Sequence, residues 1–421
     1  MNKISNTCYS SHFDVTIIGA GLAGLQCARD LSAKGISVLL VDRKSDLTKG
    51  VHTTGIFVRK TFEDFEFLAG TLGRPIRNVE LYSPKLRSMR LESDMDEFRI
   101  GRMGPLYESL LSECIASGVE FLPETRFVSI ETGVSSSHVS VMAHHGARSP
   151  HVTSGSTVIL EKNGSQFSVN TKVIVGADGA NSAVARSLGL DQNREMIVGY
   201  EEVYHRKTTH SESVLHCFLD AELAPGYIAW VADDGVEIHI GVGGYSSGYK
   251  PREALETFKK KIASKFDPME LSFAESRGGR IPVGGILRRI SNEVGLLIGD
   301  AAGAVSPLTA GGLDPCMRLS AYAADVITES IKTADPSVLS AYSGKAFRSR
   351  FISRLWMRRA ISIARSQTLL ELGCRFLRGK LGAKFAKHIF FGRGSFPDVH
   401  YLDGRRTTSS AWSKRGSGEV A

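Results

Sequence analysis

The stretch DVTIIGAGLAGLQCARDLSAKGISVLLVD, residues 14 to 42, leaves this chain few ways to fold. DVTIIGAG is an apolar, strand-sized run that ends in glycine. Leu22, Leu25, Ala28 and Leu31 then recur with helical spacing, and Gly35 supplies a C-terminal stop. ISVLLVD is a second buried-strand run. Strand, helix and strand at this length make a βαβ unit, which requires a parallel sheet and hence an α/β fold.

The turn inside that unit is Gly19-x-Gly21-x-x-Gly24. The first glycine permits the tight turn and the second lets backbone approach a pyrophosphate. The third lets helix pack closely on strand, so that the phosphates meet the positive helix N-terminus. Asp42 closes the second strand, where an acid can accept hydrogen bonds from a ribose. Arg43 beside it is either a partner for a 2′-phosphate or a solvated residue following the strand. A dinucleotide site is the expectation.

Two later runs repeat the pattern of a strand ending on aspartate. VIVGADGANSAVAR (173 to 186) runs into Asp178-Gly179, with Asn181 and Ser182 as caps for a following helix. GLLIGDAAGAVSPLTAGGLDP (295 to 315) runs into Asp300 and a loop of small residues that ends in Gly311-Gly312. Between these runs, residues 78 to 98 and 196 to 245 mix β-branched and aromatic side chains with polar ones. They read as antiparallel strands with one ligand-facing or solvated side. Residues 136 to 156 form a polar excursion, a hairpin or an insertion, and the chain after about residue 402 reads as disordered.

In this order and spacing the three motifs resemble the FAD-dependent oxidoreductases of the aromatic-hydroxylase and geranylgeranyl-reductase superfamily, from about Phe13 to Leu339. Its signatures are an N-terminal GxGxxG, a mid-chain DG and a late GD. The resemblance implies a Rossmann-type FAD/NAD(P)-binding domain with an inserted antiparallel β-sheet substrate domain and a C-terminal helical tail. It places the FAD-binding domain at 13–60, 100–190 and 285–345, and the substrate domain at 61–99 and 191–284. A helical segment would span 346–400 and a disordered tail 401–421. It also implies that Asp178 lies near the FAD pyrophosphate, that Asp300 holds the ribityl chain, and that Arg102 contacts FAD. Gly303, Ala304, Gly311 and Gly312 would be small because the isoalloxazine lies on their backbone.

Within the superfamily, GGRIPVGGILRRISNEVGLLIGDAAG and APGYIAWVADDGVEIHIGVGGY resemble the geranylgeranyl-reductase branch, which implies that Tyr227 and Trp230 line the substrate cavity. The alternative is that both are ordinary packing aromatics of a sheet. This chain departs from the branch in two places. Val231-Ala232-Asp233 lacks the branch's proline, and KGVHTTGIF carries His52, Thr53 and Thr54 where the branch has Cys-Gly. His52 is a candidate proton donor or a solvated loop side chain. The expected activity is reduction of double bonds in an apolar, prenyl-like substrate, with NAD(P)H as electron donor and Tyr227 or His52 supplying a proton. The alternatives are a flavin monooxygenase and a flavin-binding protein without turnover.

Charge bears only on partners. From Lys345 onward, 17 Lys and Arg face 4 Asp and Glu, which leaves 35 basic and 40 acidic side chains in the first 344 residues. The basic tail reads as a helical lid with its charges in water, or as a peripheral contact with an anionic membrane. Nucleic acid is not an expected partner. The six cysteines lie far apart with no CxxC pair, which argues against a zinc site or other metal and for a reducing compartment. With no apolar leader and no membrane-length run, a cytoplasmic location is expected.

Overall fold

The computed structural model describes residues 12–132, 155–208, 212–245, 248–266, 270–363 and 366–392. The first sheet grows from the βαβ unit. Strand His12–Ile18 pairs in parallel with Val38–Val41 on one side and with Ser165–Gly176 on the other. Val15, Ile17 and all of Val38–Val41 are buried, as a strand covered on both faces must be. Glu120–Leu122 and Gly295–Leu297 extend the parallel region at its two ends.

Strand Ser165–Gly176 does two jobs. Its C-terminal half lies within the parallel region, and its N-terminal half forms an antiparallel ladder with Ser156–Lys162, itself paired with Thr125–Thr132. The strands on either side of the polar excursion at 136–156 pair antiparallel with each other. Residues 136–154, like the 401–421 tail, lie outside the described residues.

The second sheet has seven strands, in the order Leu271–Pro282, Met196–Arg206, Glu237–Tyr245, Ala229–Asp233, Val214–Phe218, Asn78–Tyr82 and Ser88–Leu91. All pairs are antiparallel except Val214–Phe218 with Asn78–Tyr82, a parallel pair that the alternating patterns did not announce. The period of two splits the sheet's side chains between two cores. Tyr82, Phe218, Val231 and Ile240 pack against Phe258 and Leu255 of helix Pro251–Ile262. Leu81, Cys217 and Trp230 point the other way, toward Leu377, Phe390 and Phe391 of the C-terminal helices Gln367–Leu377 and Lys380–Phe391. That second face closes over the first sheet and makes one wall of a cavity. No helix among the described residues is long and apolar enough to cross a membrane.

Candidate active site

A single cavity of about 1450 Å³ runs from the GAGLAG turn to the C-terminal helices. Pockets for small ligands usually hold ~300–1,000 Å³, so this one has room for more than a dinucleotide. At its first end the glycines divide the work as their spacing predicts. Gly19 takes φ +107°, open to glycine and costly for other residues. A Cβ on Gly24 would lie 1.9 Å from the Gly19 carbonyl oxygen, so only hydrogen fits where helix Leu22–Ser32 crosses the strand. Gly21 lines the cavity with nothing within 4 Å of where a Cβ would be. Asp42 also lines the cavity, and its carboxylate accepts from the Ala20 and Lys44 amides at 2.7 and 2.8 Å, which fixes the turn. Arg43 lies on the wall as an exposed residue.

Asp178 and Asp300 both line the middle of the cavity. One Asp178 oxygen accepts from the Ala183 and Val184 amides at the start of a short helix, while Oδ1 is buried with no hydrogen-bond partner among the described residues. Asp300 sits in the turn Gly299–Ala302 directly after strand Gly295–Leu297. It lies half-buried on the cavity wall, and burial lifts its carboxyl from 3.8 to about 6. Among the described residues, no donor reaches its carboxyl oxygens. An orphaned carboxylate oxygen and a partnerless acid facing the same space fit a ligand that brings its own hydroxyl donors. Gly311 and Gly312 line the same region and precede helix Leu313–Thr333, whose first turn has no side-chain cap and leaves its amides open to a ligand.

Two expectations change here. Gly303 is small for a different reason: a Cβ there would meet the Gly285 carbonyl at 2.7 Å and Asn193 Oδ1 at 2.9 Å, and neither it nor the buried Ala304 lines the cavity. Arg102 is committed elsewhere. It donates to Asp234 at 2.5 Å and Glu237 at 2.7 Å, and it tethers the helix Met103–Ala116 to the second sheet.

The substrate-facing wall comes from the second sheet. Glycines again make room: a Cβ on Gly241 would lie 2.3 Å from the Trp230 indole, and one on Gly243 would lie 2.7 Å from the Tyr227 ring. The two aromatics therefore lie flat across strand Glu237–Tyr245 and meet edge to face, 6.3 Å between centroids. Arg358, buried and without a hydrogen-bond partner among the described residues, stacks 5.4 Å from the Tyr227 ring and 4.9 Å from that of Tyr245. Tyr227 donates its hydroxyl to the Thr309 carbonyl at 2.8 Å, and burial pushes the phenol well above its usual range. His52, exposed on the cavity rim, places Nδ1 2.9 Å from the Gly278 carbonyl.

The sequence reading missed Glu201. It occupies the cavity-facing register of strand Met196–Arg206 with Ile197, Gly199 and Val203, and that inward register was the available signal. Its Oε2 accepts from Thr54 at 2.6 Å and from Trp230 Nε1 at 3.2 Å, the indole reaching it over Gly241. The wall then continues into apolar residues of the C-terminal helices, among them Leu370, Phe376, Leu377 and Phe390.

Comparisons with known proteins agree with this geometry. Residues 14–61 match a family described as FAD dependent oxidoreductase, and residues 133–358, more than half of the chain, match one described as FAD binding domain. A digeranylgeranylglycerophospholipid reductase of Methanocella arvoryzae is 25% identical over 344 residues, 80% of this chain and 83% of that protein. One from Methanosphaera stadtmanae is 26% identical over 347 residues, 77% of this chain and 80% of that protein. Among solved structures, a geranylgeranyl bacteriochlorophyll reductase-like protein of Thermoplasma acidophilum superposes with TM-score 0.74 at 16% identity, covering 93% of this chain and all of that one. A p-nitrophenol 4-monooxygenase of Pseudomonas putida superposes with TM-score 0.66 at 16% identity, covering 94% and 100%. With its glycine turn, partnerless acids and matched segments in one cavity, the chain belongs to the FAD binding domain family, among the FAD-dependent oxidoreductases of the geranylgeranyl-reductase and aromatic-hydroxylase superfamily.

Proposed function

We propose that the protein reduces carbon–carbon double bonds of a long, apolar isoprenoid lipid. The observation that carries this reading is the continuity of the cavity from the nucleotide cradle into an apolar tunnel between the C-terminal helices. An extended hydrocarbon is what such a tunnel would desolvate best. The names of the curated relatives, digeranylgeranylglycerophospholipid reductases, support the same substrate class.

In this reading Gly19, Gly21, Gly24 and the first helix hold the pyrophosphate, with Asp42 and Arg43 at the adenosine end. Asp178 stands by the phosphates and Asp300 accepts the ribityl hydroxyls. Gly311, Gly312 and the N-terminus of helix Leu313–Thr333 face the ring. FAD, when bound, supplies the hydride chemistry. The chain positions the substrate and excludes water, with Tyr227 and Trp230 as the aromatic wall and His52 at the rim. A reduced nicotinamide, NAD(P)H, is the inferred electron donor. The first sheet would form the FAD-binding domain (13–60, 100–190, 285–345), and the second the substrate domain (61–99, 191–284).

The same helices support peripheral membrane contact as part of this reading. Leu369, Phe376 and Phe385 belong both to the cavity wall and to the exposed surface, so the tunnel opens there. Leu372 and Leu381, 63% and 77% exposed, lie one turn away on the same two helices, with Arg375, Arg378, Lys380 and Lys384 close by in sequence.

The test is NADPH oxidation by the FAD-loaded enzyme under argon, with and without a geranylgeranyl glycerophospholipid in micelles. The reading predicts oxidation that requires lipid and no oxygen. Oxidation that requires oxygen and adds an oxygen atom to product would place the chain with the monooxygenases, whose fold it shares. Yellow protein that no donor reduces would make it a binding module.

A further inference from the structure

Saturating a double bond requires a hydride and also a proton, and the obvious donors on the cavity wall are poorly placed to give one. Tyr227 spends its hydrogen on a carbonyl, and the Trp230 N–H is held by Glu201. Behind Glu201 lies a row of titratable groups that the reduction reading does not otherwise use. Residues 237, 239 and 241 share one face of strand Glu237–Tyr245, and residues 201, 203 and 205 share the same face of the neighbouring strand. The pairing sets Glu201 opposite Gly241, Val203 opposite His239, and His205 opposite Glu237.

The side chains close the row. Glu201 Oε1 lies 3.4 Å from His239 Nδ1. His239 is fully enclosed, and its Nε2, which has no hydrogen-bond partner, lies 3.6 Å from Glu237 Oε2. Glu237 Oε1 is in turn 3.7 Å from Nδ1 of His205, which is 57% exposed. Only Glu201 touches the cavity; His205 meets solvent. Resting on the reading of the site as a double-bond reductase, we propose that Glu201, His239, Glu237 and His205 form a relay that carries a proton from solvent to the substrate carbon.

The step balances. The electron pair arrives with the hydride that reduced flavin supplies. A proton leaves His239 Nδ1 for Glu201, and the Glu201 O–H and the substrate π bond break as the product C–H forms. His239, left with its hydrogen on Nε2, shifts to the Nδ1–H tautomer, and Nε2 then takes a new proton from water through His205 and Glu237. The resting charges are those the step needs. Burial alone would neutralise Glu201, but the hydrogen bond and charge of His239, with Thr54 and Arg277, hold its carboxyl below the usual range. Burial would likewise strip His239 of its proton, but its contacts with Glu201 and Glu237 outweigh it and raise the imidazole. The other charges facing the row are Arg277, 3.9 Å from Glu201 and held by Glu275, and Arg102, which binds Glu237 and Asp234.

The experiment pairs ring-nitrogen NMR of ¹⁵N-histidine-labelled, FAD-loaded enzyme with anaerobic single-turnover reduction of a geranylgeranyl lipid. In the wild type, both His239 nitrogens should be protonated at neutral pH. Glu201→Gln, which keeps an acceptor for Thr54 and Trp230, should lower the pH at which that proton is lost. In turnover, Glu201→Gln should slow the chemical step on the order of 10²-fold with KM unchanged. It should also move the alkaline limb of the pH–rate profile downward. His205→Asn should cost less and be restored by imidazole buffer. A neutral His239 that ignores Glu201→Gln, or a Glu201→Gln enzyme with the wild-type rate and pH profile, would overturn the relay. If wild-type enzyme reduces no isoprenoid lipid, the substrate reading falls, and the NMR titration alone decides whether the proton pair exists.

Discussion

Two carboxyl groups face the same cavity and behave oppositely. Asp300, on the first sheet's side, has no partner for its carboxyl among the described residues, and burial raises it to about 6. Glu201, on the second sheet, is held by Thr54, Trp230, His239 and Arg277, and these contacts more than cancel its burial. A buried acid left alone is a place kept for a ligand; a buried acid fully partnered belongs to the protein's own chemistry. The acid on the nucleotide side is therefore left to be completed from outside, and the acid on the sheet side already has its partners.

The contrast can be broken from either side. The largest effect should come from Gly24→Ala, since its Cβ would sit 1.9 Å from a backbone oxygen and something must move. About 1–3 kcal/mol of stability should be lost, together with retention of FAD on gel filtration. Asp300→Asn should come next. Because the folded carboxyl titrates near 6 and the unfolded one near 3.8, the native state holds the extra proton in between. The contribution of this group to apo stability is thus full below pH 4 and is lost as pH rises toward 6. Replacing the acid should stabilise apoprotein at pH 7 by up to about 3 kcal/mol in a urea melt. The same change should weaken FAD by roughly 10- to 100-fold in a fluorescence titration, the worth of a hydrogen bond to a charged group. FAD affinity of the wild type should rise between pH 5 and 7, because flavin hydroxyls prefer the ionised acceptor, and Asp300→Asn should flatten that rise.

On the other side, Gly241→Ala should displace the indole that reaches Glu201. We expect a loss of about 1–2 kcal/mol and a large fall in lipid turnover, with FAD content intact. Loss of FAD from this variant, or its retention by Gly24→Ala, would erase the division between the two sides. Smallest of all, Ser182→Ala removes the hydroxyl that accepts from the Ala185 amide at 2.8 Å. It should lower stability by about 1 kcal/mol and leave turnover unchanged.

This division also explains what could be read in advance. The nucleotide cradle is local: Gly19, Gly21, Gly24 and Asp42 lie within one βαβ unit, so their spacing alone carries their roles. Asp300 showed itself because an acid at the end of an apolar run is chemically out of place. The sheet side is assembled at long range. Thr54 meets Glu201 from 147 residues away and Arg102 meets Asp234 from 132, so neither pairing can be seen in a motif. Arg102 looked like a cofactor ligand because its partners were invisible. Gly303 looked like a flavin seat because its true neighbours, Gly285 and Asn193, are distant in the chain. The tunnel depends on how the C-terminal helices dock on the second sheet, which their amphipathic pattern does not specify.

The most direct measurement is the flavin absorbance of dithionite-reduced, FAD-loaded protein under argon, followed as a geranylgeranyl glycerophospholipid is added. The account predicts that the lipid alone restores the oxidised spectrum, and that mass spectrometry finds two added hydrogens for each flavin reoxidised. A flavin that stays bleached until air enters, with the lipid unchanged or carrying an added oxygen atom, would contradict it.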